Sequence, residues 1–88
     1  MDKPRTALVT GAARGIGAAI ARDLAGRGYD VAVLDLPENA GALAVVAADI
    51  ESAGRRALAL GCDVSDKAAA DEMAAEVLAT FGHLDALV

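Results

Sequence analysis

An α/β fold built on a parallel sheet is the class this sequence predicts, and three observations lead to it. Short apolar runs alternate along the chain with segments of helical spacing. The runs carry no polar alternation, which suits strands buried on both faces. Their ends fall near Thr10, Asp35 and Asp63, 25 and 28 residues apart, the length of a strand–helix–strand unit. The expected order is β-α-β-α-β-α-β.

The first strand is Thr6-Ala7-Leu8-Val9-Thr10, apolar and β-branched, ending at Gly11. Residues 15–26 follow with helical spacing, and Ile16, Ile20 and Leu24 form the expected apolar stripe, with alanines beside them. Gly26 and Gly28 stop that helix. Val31-Ala32-Val33-Leu34 is the second strand and ends at Asp35. Pro37 and Glu38 open the second helix, Leu43, Val46 and Ile50 give it an apolar face, and Gly54 closes it. Arg56-Ala57-Leu58-Ala59-Leu60 is the third strand, although alternating Ala and Leu also suits a helix. Ser65 is the expected N-cap of the third helix, with an incomplete capping box because residue 68 is Ala. Met73, Val77 and Phe81 line one face of that helix, Gly82 closes it, and Leu84 to Val88 is the fourth strand.

Composition narrows the function classes. The 88 residues are 56% hydrophobic, so disorder is not expected. A formal charge of −5 disfavours a nucleic-acid platform, and Arg55-Arg56 is too short to make one. No apolar run approaches the roughly 18 residues of a membrane span, and Met1 to Arg5 lacks the apolar core of a secretory signal. One cysteine, Cys62, cannot form an internal disulfide, and one cysteine with one histidine, His83, makes no metal site. A cytoplasmic, reducing setting is expected. Alanine supplies 23 of the 88 residues and adds little apolar area, so a chain of this size has a small core. An N-terminal part of a longer protein is the expectation.

The most informative segment is Thr10-Gly11-Ala12-Ala13-Arg14-Gly15-Ile16-Gly17, between a strand and a helix. Gly11 permits a tight turn, Gly15 lets backbone approach a pyrophosphate, and Gly17 allows close helix packing on the sheet. Free N–H groups and the dipole at the helix start then face the anion. An acidic residue, Asp35, ends the next strand, which is the Rossmann-type dinucleotide arrangement. No Gly-Lys-Ser/Thr follows, so this is not a nucleoside-triphosphate loop.

The spacing T-G-x-x-x-G-x-G resembles the short-chain dehydrogenase/reductase family, in its single-domain branch. Three further motifs carry the resemblance: Asp35 ending strand two, Asp63-Val64 ending strand three, and Gly82-His83-Leu84-Asp85-Ala86-Leu87-Val88 leading into strand four. In the family that strand runs on into an N-N-A-G motif. The resemblance spans the chain and implies the N-terminal half of a doubly wound sheet in the order 3-2-1-4. Residues 1–88 would be part of a single NAD(P)-binding domain. The loop is similar to that of 3-oxoacyl-thioester reductases, and equally to that of sugar, steroid and polyol dehydrogenases.

The resemblance further implies hydride transfer between a nicotinamide dinucleotide and a carbonyl or secondary-alcohol substrate. The expected cofactor site is Thr10, Gly11, Ala13, Arg14, Gly15, Ile16, Gly17, Asp35, Leu36, Asp63 and Val64. Asp35 would accept the adenosine ribose 2′-OH and repel a 2′-phosphate, so NAD is the expected cofactor. Arg14 leaves NADP open, because it can pair with a 2′-phosphate, a pyrophosphate oxygen or a protein carboxylate. Asp63 has two readings, adenine recognition and the turn before Ser65, and the family pattern favours adenine.

The family's catalytic Ser and Tyr-x-x-x-Lys have no match here. Tyr29 is followed at position 33 by Val, and Lys3 and Lys67 have no fitting tyrosine, so the expectation is binding without catalysis in this chain. Cys62 is expected to pack in the core, His83 to sit in a loop, and Asp71, Glu72 and Glu76 to form a solvated helix face. A homotetramer or homodimer is expected of the full-length protein. Two other readings stand beside this one: a dinucleotide-binding module without chemistry, and a Rossmann-like methyltransferase fragment.

Overall fold

The structure is a computed structural model and describes residues 4–88; Lys3 lies outside the described residues. The elements run β1 (Thr6–Thr10), α1 (Gly15–Gly26), β2 (Asp30–Asp35), a 3-10 turn (Pro37–Asn39), α2 (Ala40–Ser52), β3 (Ala57–Gly61), α3 (Lys67–Phe81) and β4 (Ala86–Leu87). The four strands form one parallel sheet in the order β3-β2-β1-β4. Thr6 to Thr10 pair with Asp30 to Leu34, and Val31 to Asp35 pair with Ala57 to Gly61, so the central strands end level at the same edge.

Strand alternation decides which helix packs where. Val9, Val31 and Val33 face one side and meet Ala18, Ala21 and Ala25 of α1 with Leu43, Val46 and Ile50 of α2. Leu8, Ala32, Leu34 and Leu60 face the other side and meet Val77 and Phe81 of α3. Both faces of β1 and β2 are therefore dry, which is why their sequences are apolar without interruption. Cys62 packs in the second of these clusters.

Four details differ from the sequence reading. The core face of α1 is made of alanines, whereas Ile16 is 81% exposed and Ile20 and Leu24 are only partly buried. Small side chains bring the helix close to the sheet, Ile20 and Leu24 pack at the margin of that core, and Ile16 is turned out. The α2 segment begins with a 3-10 turn rather than a regular helical turn. Asp66, not Ser65, caps α3, its side chain accepting from the N–H groups of Ala68 and Ala69. Strand four is ladder-paired only at Ala86–Leu87, although Val88 N–H also donates to the Leu8 carbonyl.

Helices α1 and α2 close alike. Tyr29 N–H reaches Leu24 O and Gly28 N–H reaches Ala25 O, and Arg55 and Gly54 repeat this on Ile50 and Glu51. Each closure turns the chain directly into the next strand. This fixes the amino end of the sheet and leaves the loops of the carboxyl end to build a site.

Candidate functional site

The loop leaving β1 folds back over the carboxyl end of β2. Ala12 N–H donates to the Leu34 carbonyl (3.0 Å) and Ala13 N–H donates to Asp35 Oδ2 (3.0 Å). Gly15 then starts α1 at φ +64, a left-handed conformation that disfavours a side chain. A Cβ built there meets nothing within 4 Å, so the backbone at this point faces open space. Gly17 is the opposite case. A Cβ there would overlap the Gly11 carbonyl group, whose carbon would lie at 2.8 Å. The close approach that requires Gly17 is thus between helix and loop, not between helix and sheet as the sequence reading had it.

No side chain caps α1 at Arg14, in contrast to α3 at Asp66. The first-turn amides of Gly15, Ile16 and Gly17 have no intrahelical acceptor and remain as donors at the positive end of the helix dipole. An anion of pyrophosphate size and chemistry fits this arrangement. Ala13 differs from its neighbours. It is buried, and its amide is already committed to Asp35.

Asp35 is the centre of the polar contacts. Its Oδ1 accepts from Leu36 N–H (2.7 Å) and from Asn39 Nδ2 (2.8 Å). The Asn39 amide, together with the backbone N–H groups of Ala13 and Leu36, holds the carboxyl below the usual aspartate range. Arg14 finds a partner outside the three foreseen, donating from Nη2 to Asn39 Oδ1 (3.2 Å). Asn39 was not singled out by the sequence. The available signal was Pro37, which opens a helical turn after Asp35 and brings the residue four positions on back beside it.

Asp63 accepts from both the N–H (3.0 Å) and the hydroxyl (2.7 Å) of Ser65 through Oδ1. These bonds, the hydroxyl foremost, lower its pKa. The turn role is therefore realised. Oδ2 makes no hydrogen bond among the described residues and is available to a ligand.

Thr10, Gly11, Asp35, Leu36, Asp63 and Val64, with Leu34 and Cys62, line one cleft of about 250 Å³. Leu36 and Val64 are exposed in it and give it apolar walls. Cys62 and Leu34 close its floor. A smaller hollow of about 140 Å³ lies between β3 and α3 and does not touch the glycine loop. Tyr29 sits at the amino end of β2, and His83 pairs there with Asp85 (3.0 Å). Lys67 pairs with Asp71 (2.9 Å), and Asp71, Glu72 and Glu76 are exposed. Arg55 and Arg56 both hold Asp30. Among the described residues no group of three His, Cys, Asp or Glu could hold a metal ion, and no helix is long and apolar enough to cross a membrane.

A family model described as short chain dehydrogenase matches residues 5–88. A short-chain dehydrogenase/reductase of Armillaria gallica is 44% identical over 88 residues, which is all of this chain and 34% of that protein. Among solved structures, a short chain dehydrogenase from Burkholderia cenocepacia in complex with NADP superposes with a TM-score of 0.90 at 45% identity, covering 97% of this chain and 34% of that one. A short chain dehydrogenase from Mycobacterium paratuberculosis bound to NAD gives 0.87 at 30% identity, covering 97% and 35%. The chain spans about a third of the length of the curated relatives it matches.

Proposed function

Because the chain belongs to the short-chain dehydrogenase family, we propose that it forms the adenosine–pyrophosphate half of the cofactor site of an NAD(P)-dependent oxidoreductase. The observation that carries this reading is the meeting of Thr10, Gly11, Asp35, Leu36, Asp63 and Val64 in one cleft beside the uncapped first turn of α1. Gly15, Ile16 and Gly17 would donate backbone N–H groups to the pyrophosphate, and Arg14 stands at the same turn. Asp35 and Leu36 would take the adenosine ribose. Asp63 Oδ2 would face the adenine amine, with Val64 against the ring. Ala13 acts through Asp35, whose orientation its amide fixes.

When bound, the cofactor supplies the nicotinamide carbon that gives or accepts hydride. In the whole protein its partner would be a carbonyl or secondary-alcohol small molecule. The residues of this chain bind and orient. They include no Tyr-x-x-x-Lys, so residues 1–88 by themselves are expected to bind cofactor without turnover. They form the N-terminal part of a single domain. For the whole protein we propose a cytoplasmic homotetramer or homodimer.

NAD is the proposed cofactor. Asp35 is held ionised at the point where a 2′-phosphate would arrive, and a like-charge contact there costs on the order of a kcal/mol or more. Calorimetric titration with NAD⁺ and NADP⁺ tests both levels. Tighter binding of NAD⁺, with the preference narrowed by Asp35→Ala, is the expected result. Tighter binding of NADP⁺ overturns the preference. Binding of S-adenosylmethionine with neither dinucleotide overturns the oxidoreductase reading.

A further inference from the structure

Asn39 stands between two opposite charges, Arg14 and Asp35. Its Nδ2 donates to Asp35 Oδ1 at 2.8 Å, and its Oδ1 accepts from Arg14 Nη2 at 3.2 Å. Only one orientation of the amide satisfies both neighbours, since a flip would place NH₂ against a guanidinium and oxygen against a carboxylate. The described ion pairs include none between Arg14 and Asp35. The 3-10 turn Pro37–Asn39 puts the amide there, and Asn39 N–H to Leu36 O (2.9 Å) keeps the turn closed.

We propose that Asn39 is a specificity-determining positioning residue, which ties up the Arg14 guanidinium and keeps it from pairing directly with Asp35. This rests on the cofactor reading above. With the amide in place, an incoming 2′-phosphate meets the Asp35 carboxylate, while Arg14 beside it is held by a neutral acceptor. With the amide removed, Arg14 has two courses. It pairs with Asp35 directly and cancels the repulsion, or it swings to the 2′-phosphate and attracts it. Both courses favour the phosphorylated cofactor relative to the plain one.

The test is the ratio of the NADP⁺ and NAD⁺ dissociation constants, measured by calorimetry on the protein as expressed from its own gene. Asn39→Ala should lower the Kd ratio (NADP⁺ over NAD⁺) about five-fold, the scale of one ordinary net hydrogen bond. Asn39→Asp, which holds Arg14 and adds a negative charge, should raise the ratio. In an Arg14→Ala background, Asn39→Ala should leave the ratio where Arg14→Ala alone puts it. A general loosening of the loop would weaken both cofactors together and not move the ratio. An unchanged ratio in Asn39→Ala, or the same shift without Arg14, overturns the role of Asn39 and leaves the cofactor site standing. Wild-type protein that binds neither dinucleotide overturns both.

Discussion

With three hydrogen bonds already accepted by Asp35 from Ala13, Leu36 and Asn39, about one of its four acceptor positions is left for an incoming hydroxyl. Those same bonds depress its pKa, so its contribution to stability has a defined pH window. The contribution is fully present above the unfolded aspartate value, about 3.9, and is lost as pH falls through the lower folded value. Asp35→Asn should therefore lower the melting temperature at neutral pH, with the gap from wild type closing below about pH 4. Thermal melts across pH 2–7, roughly the span over which an aspartate carboxyl titrates, check this. At Gly17 the argument is steric. Gly17→Ala forces the Gly11 carbonyl to move and should cost about 1–3 kcal/mol in urea unfolding, with weaker NAD⁺ binding.

Two of the helix starts at the carboxyl edge of the sheet, those of α1 and α3, are built for different ends. The first turn of α3 is satisfied internally by Asp66, whereas that of α1 is left to an outside acceptor. Asp66→Ala should cost about 1 kcal/mol of stability. Ser65→Ala should cost less, because the Ser65 hydroxyl serves Asp63 and not the helix; denaturant titration of both variants separates them. The sequence pointed to Ser65 because either residue can cap, and only the backbone decides. Asp66 is the residue in extended conformation at the boundary, at φ −87 and ψ 109. The α1 stripe misled for a related reason. Hydropathy gives most weight to Ile16, Ile20 and Leu24, while close helix–sheet packing selects alanine. The glycine loop and Asp35 stood out by their spacing along one strand–helix–strand unit, and the strand order came with the family resemblance that those motifs carry. Asn39 was not legible, since Pro37 announces a helical turn but not that the last residue of that turn bonds both Asp35 and Arg14.

Across the whole molecule the two ends of the sheet divide the work. At the amino end, Asp30 is 1% exposed and takes Arg55 (3.0 Å), Arg56 (3.1 Å) and the Arg56 N–H (2.9 Å). Burial opposes its ionisation, but the Arg56 backbone and the two guanidinium groups outweigh it and lower its pKa. Arg56 also lies 5.0 Å from the centre of the Phe81 ring and donates to the Thr80 carbonyl, joining β3 to the end of α3. Asp30→Ala should destabilise by about 1–3 kcal/mol while leaving the NAD⁺ Kd within two-fold, roughly the scatter between independent distant sites. Unfolding and calorimetry on the one variant test both halves of that statement. Because α1 meets the sheet through the methyl groups of Ala18, Ala21 and Ala25, nothing along that seam can fold aside. A methylene added at any of the three positions would be carried along the helix as along a rigid lever to Gly15, so the aim of the uncapped first-turn amides is set by the smallest side chains in the core.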